Sequence, residues 1–289
     1  MELTISLPEN QPDTTIRTLL EDEWLIPRKV RHFLRTRKNV RLNQQPVMFH
    51  EIAHAKDVIT LYFEDDDYPK PIISLGQADK VSILFEDEHI IIVDKPAGVK
   101  THPNQPNETD TLFNHVAAYL VTQNQVPYVV HRLDKETSGA IVFAKNPIVL
   151  PILGRMLEKK EITRLYEAEI DGQLTTPSLT INKKIGRDRH DRRKRIVDSR
   201  NGQHAITHVT VNQTMSRTSW VTCQLETGRT HQIRVHLAAI GHPIMGDPLY
   251  HPRPNARKRL QLHAKQLSLQ HPFTKKLIDV STDSRLAPN

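Results

Sequence analysis

Beyond residue 80 the chain reads as a succession of strand-forming segments that helices interrupt only occasionally, and this order restricts the fold. VSILFEDEHIIIVDKP (residues 81–96) has the pattern of a hairpin turning at Asp87–Glu88. YVVHRLD and AIVFAK read as strands on either side of a polar turn, Lys135–Gly139. ITRLYEAEI, AITHVTVNQT, SWVTCQLE and LHAKQLSLQ add further strands. Helical spacing covers Thr111–Leu120 and Pro147–Lys159, and HQIRVHLAAIG forms a short helix ended by Gly241. Strands and helices do not alternate regularly, so a doubly wound parallel sheet is excluded and an α+β fold is expected. The sequence contains no internal repeat.

Residues 64–80 mark a boundary, with an acidic run, Glu64–Asp67, followed by Pro69 and Pro71. Two units are expected, residues 1–75 and 76–289, which suits a chain of 289 residues. In the first, Thr14–Trp24 predicts a helix carrying Ile16, Leu19 and Leu20 on one face. Pro27 is placed to open a second, basic helix over residues 28–41, with Val30, Phe33 and Leu34 on its other side. Strands at Val40–Leu42 and Val58–Phe63 flank a turn at Asn43–Gln45.

Charge narrows the partner. The net charge is +7, yet residues 1–75 hold 10 basic and 12 acidic side chains. Seven of those cations fall between Arg28 and Arg41 with no acid among them, and KKIGRDRHDRRKR (183–195) holds eight cations and two acids. Two such runs suit a polyanion whose phosphates release counterions on binding. Neither run flanks a strong apolar face, so nucleic acid is favoured over acidic lipid. The longest apolar run, Val116–Val121, is six residues, whereas a membrane helix needs about 20. MELTISLPEN has neither the basic segment nor the apolar core of a secretory signal. The single cysteine, Cys223, excludes an intramolecular disulfide framework and favours a reducing compartment, hence the cytoplasm.

Familiar signatures are absent or imperfect. No G-x-G-x-x-G and no G-x-S-x-G occurs. Gly241 and Gly246 have phosphate-loop spacing, but Asp247–Pro248 follows where a Lys should stand. HEIAH (50–54) matches the zinc-hydrolase signature, which works only on a helix that puts both His on one face. It falls on a short connection between two expected strands, so surface histidines are the better reading and no metal is expected.

Glycine is scarce, at ten residues, and five of them (Gly98, Gly139, Gly228, Gly241, Gly246) fall in three segments. Turns that need positive φ or close approach therefore surround one place. Among these segments HRLDKETSG (131–139) carries an acid, Asp134, with Arg132 two residues before it. On its own Asp134 suits a turn cap.

HRLDKETSG resembles the signature of the RluA/RluD-type RNA pseudouridine synthases. IIVDKPAGVKTHP (91–103), RLYEAEI (164–170) and LETGRTHQIRVHLAAIGHPIMGDPLY (225–250) are similar to that family's other motifs and occur in its order. The basic helix and hairpin resemble, more loosely, the small RNA-binding domain first seen in a ribosomal small-subunit protein. Here Asn43–Gln44 and Lys56–Asp57 stand where that domain has Asn-Gly and Gly-Asp. The resemblance implies a mixed, largely antiparallel central sheet flanked by helices, preceded by a small α+β RNA-binding domain. It implies isomerisation of uridine in RNA, ribosomal RNA first and transfer RNA second, by a monomer without cofactor.

The same resemblance assigns roles. Asp134 matches the catalytic aspartate, which acts near the sugar when the bond from uracil nitrogen 1 to ribose breaks. Arg234 matches the arginine that pairs with it, orienting the carboxylate and favouring its ionised form; Arg229 is a less suitable partner. Tyr166 matches the tyrosine that stacks on the uracil. Arg132 resembles the residue that fills the gap left by an extruded uridine, whose extrusion costs a few kcal/mol. Arg28, Arg31 and Arg35 are expected to bind substrate. Lys95 and Thr137 read as supporting residues, His131, His231, His236 and His242 as local hydrogen-bonding groups, and Cys223 as core. The competing readings are an RNA-binding assembly factor with a vestigial site and the zinc hydrolase.

Overall fold

The computed structural model describes residues 1–105, 107–253, 257–283 and 286. Its first elements are β1 (Glu2–Ser6), β2 (Thr14–Thr15), α1 (Ile16–Thr18), α2 (Arg28–Thr36), β3 (Val40–Leu42), β4 (Gln45–Pro46), β5 (Ile52–Ala53) and β6 (Val58–Tyr62). Four of these strands form a sheet in the order β1-β6-β3-β4, and β2 pairs with β5. Strand β1 was not anticipated. Its alternation, with Leu3 and Ile5 buried, is short and sits at the chain start.

Two helix expectations need correction. The segment expected to be helical over 14–24 has only one α-helical turn, and Leu19–Glu23 is π-helical. The Trp24 N–H donates to the Leu19 carbonyl and the Ile26 N–H to that of Leu20. The wider turn sends Ile16, Leu19, Leu20 and Trp24 all inward. The basic helix stops at Thr36 rather than 41, because Lys38 takes φ +56° and turns the chain into β3. Arg41 is therefore on a strand.

The turn after β3 is as tight as two residues allow. Leu42 pairs with Gln45, and Asn43 and Gln44 both take positive φ, the type I′ arrangement. Glycine is absent, but the Asn43 side chain donates to Asp57 and accepts from the Val58 N–H, which anchors the turn on β6. Lys56 also stands at positive φ, +69°.

The remaining elements are β7 (Ile83–Glu86), β8 (Ile90–Lys95), α3 (Leu112–Leu120), β9 (Tyr128–Val129), β10 (Ser138–Ala144), α4 (Val149–Glu158), β11 (Thr163–Asp171), β12 (Ser178–Asn182), β13 (Ile185–Arg187), β14 (Arg195–Val197), β15 (Ile206–Thr214), β16 (Thr218–Leu225), α5 (Gln232–Ala239), β17 (Leu262–Gln270) and β18 (Leu277–Ser281), together with short 3-10 turns. Ten of these strands make one sheet, with the path β12-β15-β16-β11-β17-β10-β8-β7 and with β18 and β9 attached to β17 and β10. Only β10 and β17 run parallel, over Ser138↔His263 and Gly139↔Ala264. The fold is thus α+β with a mixed, largely antiparallel sheet.

Both faces of this sheet are covered, so its central strands are apolar throughout. Ile90, Ile92, Ala140 and Val142 join a core with α4 and the N-terminal unit. Ile91, Val93, Ile141 and Phe143 join another with α3 and α5. The N-terminal unit packs directly on the first face. Trp24 meets Phe273 edge to face at 5.7 Å, and Arg155 donates to the carbonyls of Asp22 and Glu23.

YVVHRLD is a strand only at Tyr128–Val129. Past it, Leu133 turns away from the sheet to bond the Thr101 hydroxyl through both its N–H and its carbonyl. The stretch 130–134 is thereby released to line a cleft. Arg132 and Asp134, expected within a strand that would put them on one side, lie instead on this loop.

A non-glycine residue in the left-handed region costs about 1–2 kcal/mol. Lys56→Gly should therefore raise the unfolding free energy by about 1 kcal/mol after its entropic cost, read from urea denaturation midpoints at constant slope.

Candidate active site

A cleft of about 470 Å³ opens between the loop 130–134, strand β11 and the loop leading into α5. Asp134, Tyr166 and Arg234 all line it, so residues far apart in sequence share one cavity.

The position of Asp134 is fixed by its own turn and by the segment 95–98. The Thr137 N–H donates to the Asp134 carbonyl, closing the turn, and the Gly98 N–H donates to the Lys135 carbonyl. Lys95 lies beneath, wholly buried, with its ammonium bonded to the carbonyls of Pro96, Val99 and Lys135 at 2.9, 2.6 and 3.0 Å. Burial pushes Lys95 down to about 7, opposed by the nearby Asp134 carboxylate. The turn ends at Gly139, φ +111°, where a Cβ would stand 2.2 Å from the Ala264 carbonyl oxygen. Only glycine fits where β10 meets β17.

Arg234 projects from α5 and is itself buried. Its Nη1 donates to Asp134 Oδ2 at 3.1 Å, while Nε and Nη2 clasp Asp247 in a two-bond fork of 2.8 and 2.8 Å. Asp247 also accepts the N–H groups of Leu249 and Tyr250 at 2.8 and 3.1 Å. One carboxylate thus fixes the guanidinium, and the guanidinium fixes the other carboxylate. The two carboxylates together hold the Arg234 charge more firmly than water would, despite burial. Gly246 permits this, since a Cβ there would reach within 2.1 Å of the Arg259 carbonyl oxygen. Asp247 was missed in the sequence, where Gly246–Asp247 reads only as a failed phosphate loop. Gly246 was the available signal.

The basic hairpin of β13 and β14 reaches the same site. The Arg195 N–H donates to the Tyr250 hydroxyl, which bonds His231 Nδ1 at 2.8 Å. His231 Nε2 lies 3.8 Å from Asp134 Oδ2. Burial lowers the pKa of His231, and the Asp134 charge opposes that fall.

Tyr166 lies on β11, buried in the cleft wall, and its hydroxyl makes no hydrogen bond among the described residues. Burial raises its pKa, the Arg164 charge opposes the rise, and Asp134 adds to it. Arg164, two residues earlier on the same face, lines the cleft too and was not singled out by sequence. Arg132 and Arg229 are exposed at the rim, with Arg229 Nε bonded to the His204 carbonyl.

The N-terminal arginines divide. Arg28 and Arg35 are exposed on α2 and unpaired among the described residues. Arg31 instead turns inward, pairing with Glu21 at 2.8 Å and donating to the Ile26 carbonyl. Arg37 forks onto Asp67 and reaches Glu64. Arg31 therefore serves the fold of its own unit.

HEIAH does not form a helix. Ile52–Ala53 is a strand, Glu51 accepts the Met48 N–H, and His54 pairs with Asp13, so the spacing does not bring the histidines together. Among the described residues no three potential ligands cluster for a metal. His236 bonds Thr207 and the Lys183 carbonyl, and His242 the Asp171 carbonyl. Cys223 is buried, and burial raises its thiol to about 12.

His131 lines the cleft, and burial together with the Arg164 charge pushes it down from 6.5 to about 3. The unfolded chain then binds the extra proton first, so stability falls as pH drops from 6.5 toward 3, by up to about 1.4 kcal/mol per pH unit. In urea melts taken from about pH 6.5 to pH 4, His131→Gln should lose less stability than the wild type.

A family profile described as RNA pseudouridylate synthase matches residues 89–239, and one described as the RluD ribosomal pseudouridine synthase N-terminal domain matches residues 3–59. YhcT of Bacillus subtilis, described as an uncharacterized RNA pseudouridine synthase, is 40% identical over 281 residues, 96% of this chain and 91% of its own. Ribosomal large subunit pseudouridine synthase D of Neisseria meningitidis is 41% identical over 206 residues, 66% of this chain and 55% of that protein. Among solved structures, human RNA pseudouridylate synthase domain containing 1 superposes with a TM-score of 0.59 at 26% identity, over 74% of this chain and 86% of that one. With the catalytic profile spanning 89–239 and a relative matched across nearly its whole length, this chain belongs to the RNA pseudouridylate synthase family.

Proposed function

We propose that this protein converts uridine to pseudouridine in ribosomal RNA, with Asp134 as the group that opens the bond between uracil and ribose. The observation that carries the reading is the array Asp134–Arg234–Asp247, in which the buried Arg234 and Asp247 hold the half-buried Asp134 at the cleft wall. It holds a carboxylate at fixed orientation beside a cavity large enough for a nucleotide. Tyr166 supplies an aromatic surface for the extruded uracil, and Arg132 at the rim offsets the lost stacking. Single-stranded loops and bulges, where extrusion costs least, are the preferred sites. The ribosomal assignment is supported by the relative named a ribosomal large subunit synthase and by the N-terminal profile.

Residues 1–75 act as the RNA-docking module and 76–289 as the catalytic one. Arg28 and Arg35, with the cations of the β13–β14 hairpin, contact phosphate, and Arg229 contacts the strand at the rim. Every assigned residue comes from a single chain, so the reading requires no second subunit. A cytoplasmic site of action matches its ribosomal substrate and the lone buried cysteine.

Tritium release from carbon-5-labelled uridine in unmodified ribosomal RNA tests the chemistry. The wild type should release tritium, and Asp134→Asn should lose at least about 10³-fold in rate while binding RNA with affinity within about threefold, since no phosphate contact is lost. Unimpaired turnover in that variant would remove Asp134 from the chemistry, and binding without turnover in the wild type would leave an assembly factor. Carbodiimide-based primer extension on ribosomal RNA from cells lacking the protein then identifies the uridine.

Replacing Arg28 and Arg35 together with Gln should weaken RNA binding and reduce the slope of log K against log salt by about 1 to 2. An unchanged slope would take α2 out of contact with phosphate.

A further inference from the structure

Arg164 is only 8% exposed, yet no carboxylate pairs with it and no hydrogen bond reaches its side chain among the described residues. Its Nε is buried and orphaned. Its terminal nitrogens lie on the cleft wall beside Gly228, where a Cβ would stand 3.4 Å from Nη1. A guanidinium taken out of water without a counter-charge is a standing cost to the fold. The other buried arginine of the cleft, Arg234, is clasped by two carboxylates. Unpartnered cations of this kind mark places where a ligand completes the set.

We infer that Arg164 donates to a carbonyl oxygen of the extruded uracil and holds the negative charge the ring acquires when it is detached from ribose. This rests on the reading of the site given above. When the bond from N1 to C1′ breaks, its electron pair leaves with the ring and spreads over N1, O2 and O4. Asp134 gives up its own charge in the same step, either by bonding C1′ or by taking the C2′ proton. One negative charge therefore passes from the Asp134 carboxylate to the uracil. In the second half the ring carbon C5 bonds C1′, Asp134 recovers its charge, the C5 proton leaves to water and N1 gains a proton. The cleft has a guanidinium for each location of that charge, Arg234 at the carboxylate and Arg164 at the ring. A preorganised donor of this sort acts on charge as it develops.

The burial of Arg164 separates this role from phosphate binding. The rim cations Arg132 and Arg229 are the exposed ones. Arg164 instead shares a strand face with Tyr166, about 7 Å along β11 by strand rise, and a base resting on Tyr166 is within its reach.

The test compares wild type, Arg164→Gln and Arg164→Lys in single-turnover tritium release on unmodified ribosomal RNA. Arg164→Gln should slow the chemical step by about 10²–10³-fold, and Arg164→Lys should recover at least about tenfold of that loss, since it restores the charge. RNA affinity and its salt slope should stay unchanged. With 5-fluorouridine at the target, product formation replaces tritium release as the readout. Fluorine stabilises the detached ring, so the Arg164→Gln defect should shrink by about tenfold or more, as for any group acting on developing charge. Thermal unfolding should show Arg164→Gln at least as stable as the wild type, because an unpaired buried charge has gone. An equal defect on uridine and 5-fluorouridine overturns the inference, as does a fall in affinity with a salt slope lower by about one, which would mark a phosphate contact. A wild type that releases no tritium overturns the reading of the site and this inference with it. An active wild type whose Arg164→Gln variant keeps its rate overturns the inference alone.

Discussion

A single guanidinium between two carboxylates organises this molecule's working end. Arg234 reaches Asp134 with one nitrogen and grips Asp247 with two; Arg234 and Asp247 are buried, and Asp134 faces the cleft from a half-buried position. Removing the guanidinium from such a set would leave two carboxylates as uncompensated charges, which is why a triad of this kind is more rigid than its separate hydrogen bonds suggest. The surrounding architecture follows from the need to bring its members together. Helix α5 presents Arg234, the turn through Gly246 presents Asp247, and the loop released from β9 presents Asp134.

The loop is held by the stretch around Lys95 rather than by its own sheet. An ammonium has three protons, and here each meets a backbone carbonyl, one of them in the residue after Asp134. Thr101 does the same for Leu133 with a single hydroxyl used in both directions. A surface loop carrying the carboxylate of the cleft is thereby given the fixity of a strand end without its hydrogen-bond ladder.

Much of this could be read from the amino acids, for reasons that differ by element. Asp134, Tyr166 and Arg234 stood in ordered motifs, two of them carrying scarce glycines that proved to mark close approaches at Gly139 and Gly246. The order of strands excluded a parallel fold before any topology was known. Asp247 escaped because its meaning lies in a partner 13 residues away on a helix, a tertiary relation that spacing alone does not state. Arg164 escaped because a strand's composition does not reveal that a charge has no partner. Arg31 and Arg37 looked like free cations, yet Glu21, Glu64 and Asp67 claim them, and only folding places those acids nearby. The π-helical turn at Leu19 and the early end of α2 reflect packing demands that helical periodicity averages away.

The union of the N-terminal unit with the sheet bears on how targets are chosen. Trp24 is seated on Phe273 and the Arg155 guanidinium closes the exposed carbonyls of Asp22 and Glu23, so the junction is a shared core and not a tether. If α2 grips the RNA as proposed, a target entering the cleft is measured, as by a caliper whose jaws are set at one opening. On that reading, selection falls on folded RNAs whose anchoring point and unpaired uridine are separated by that span.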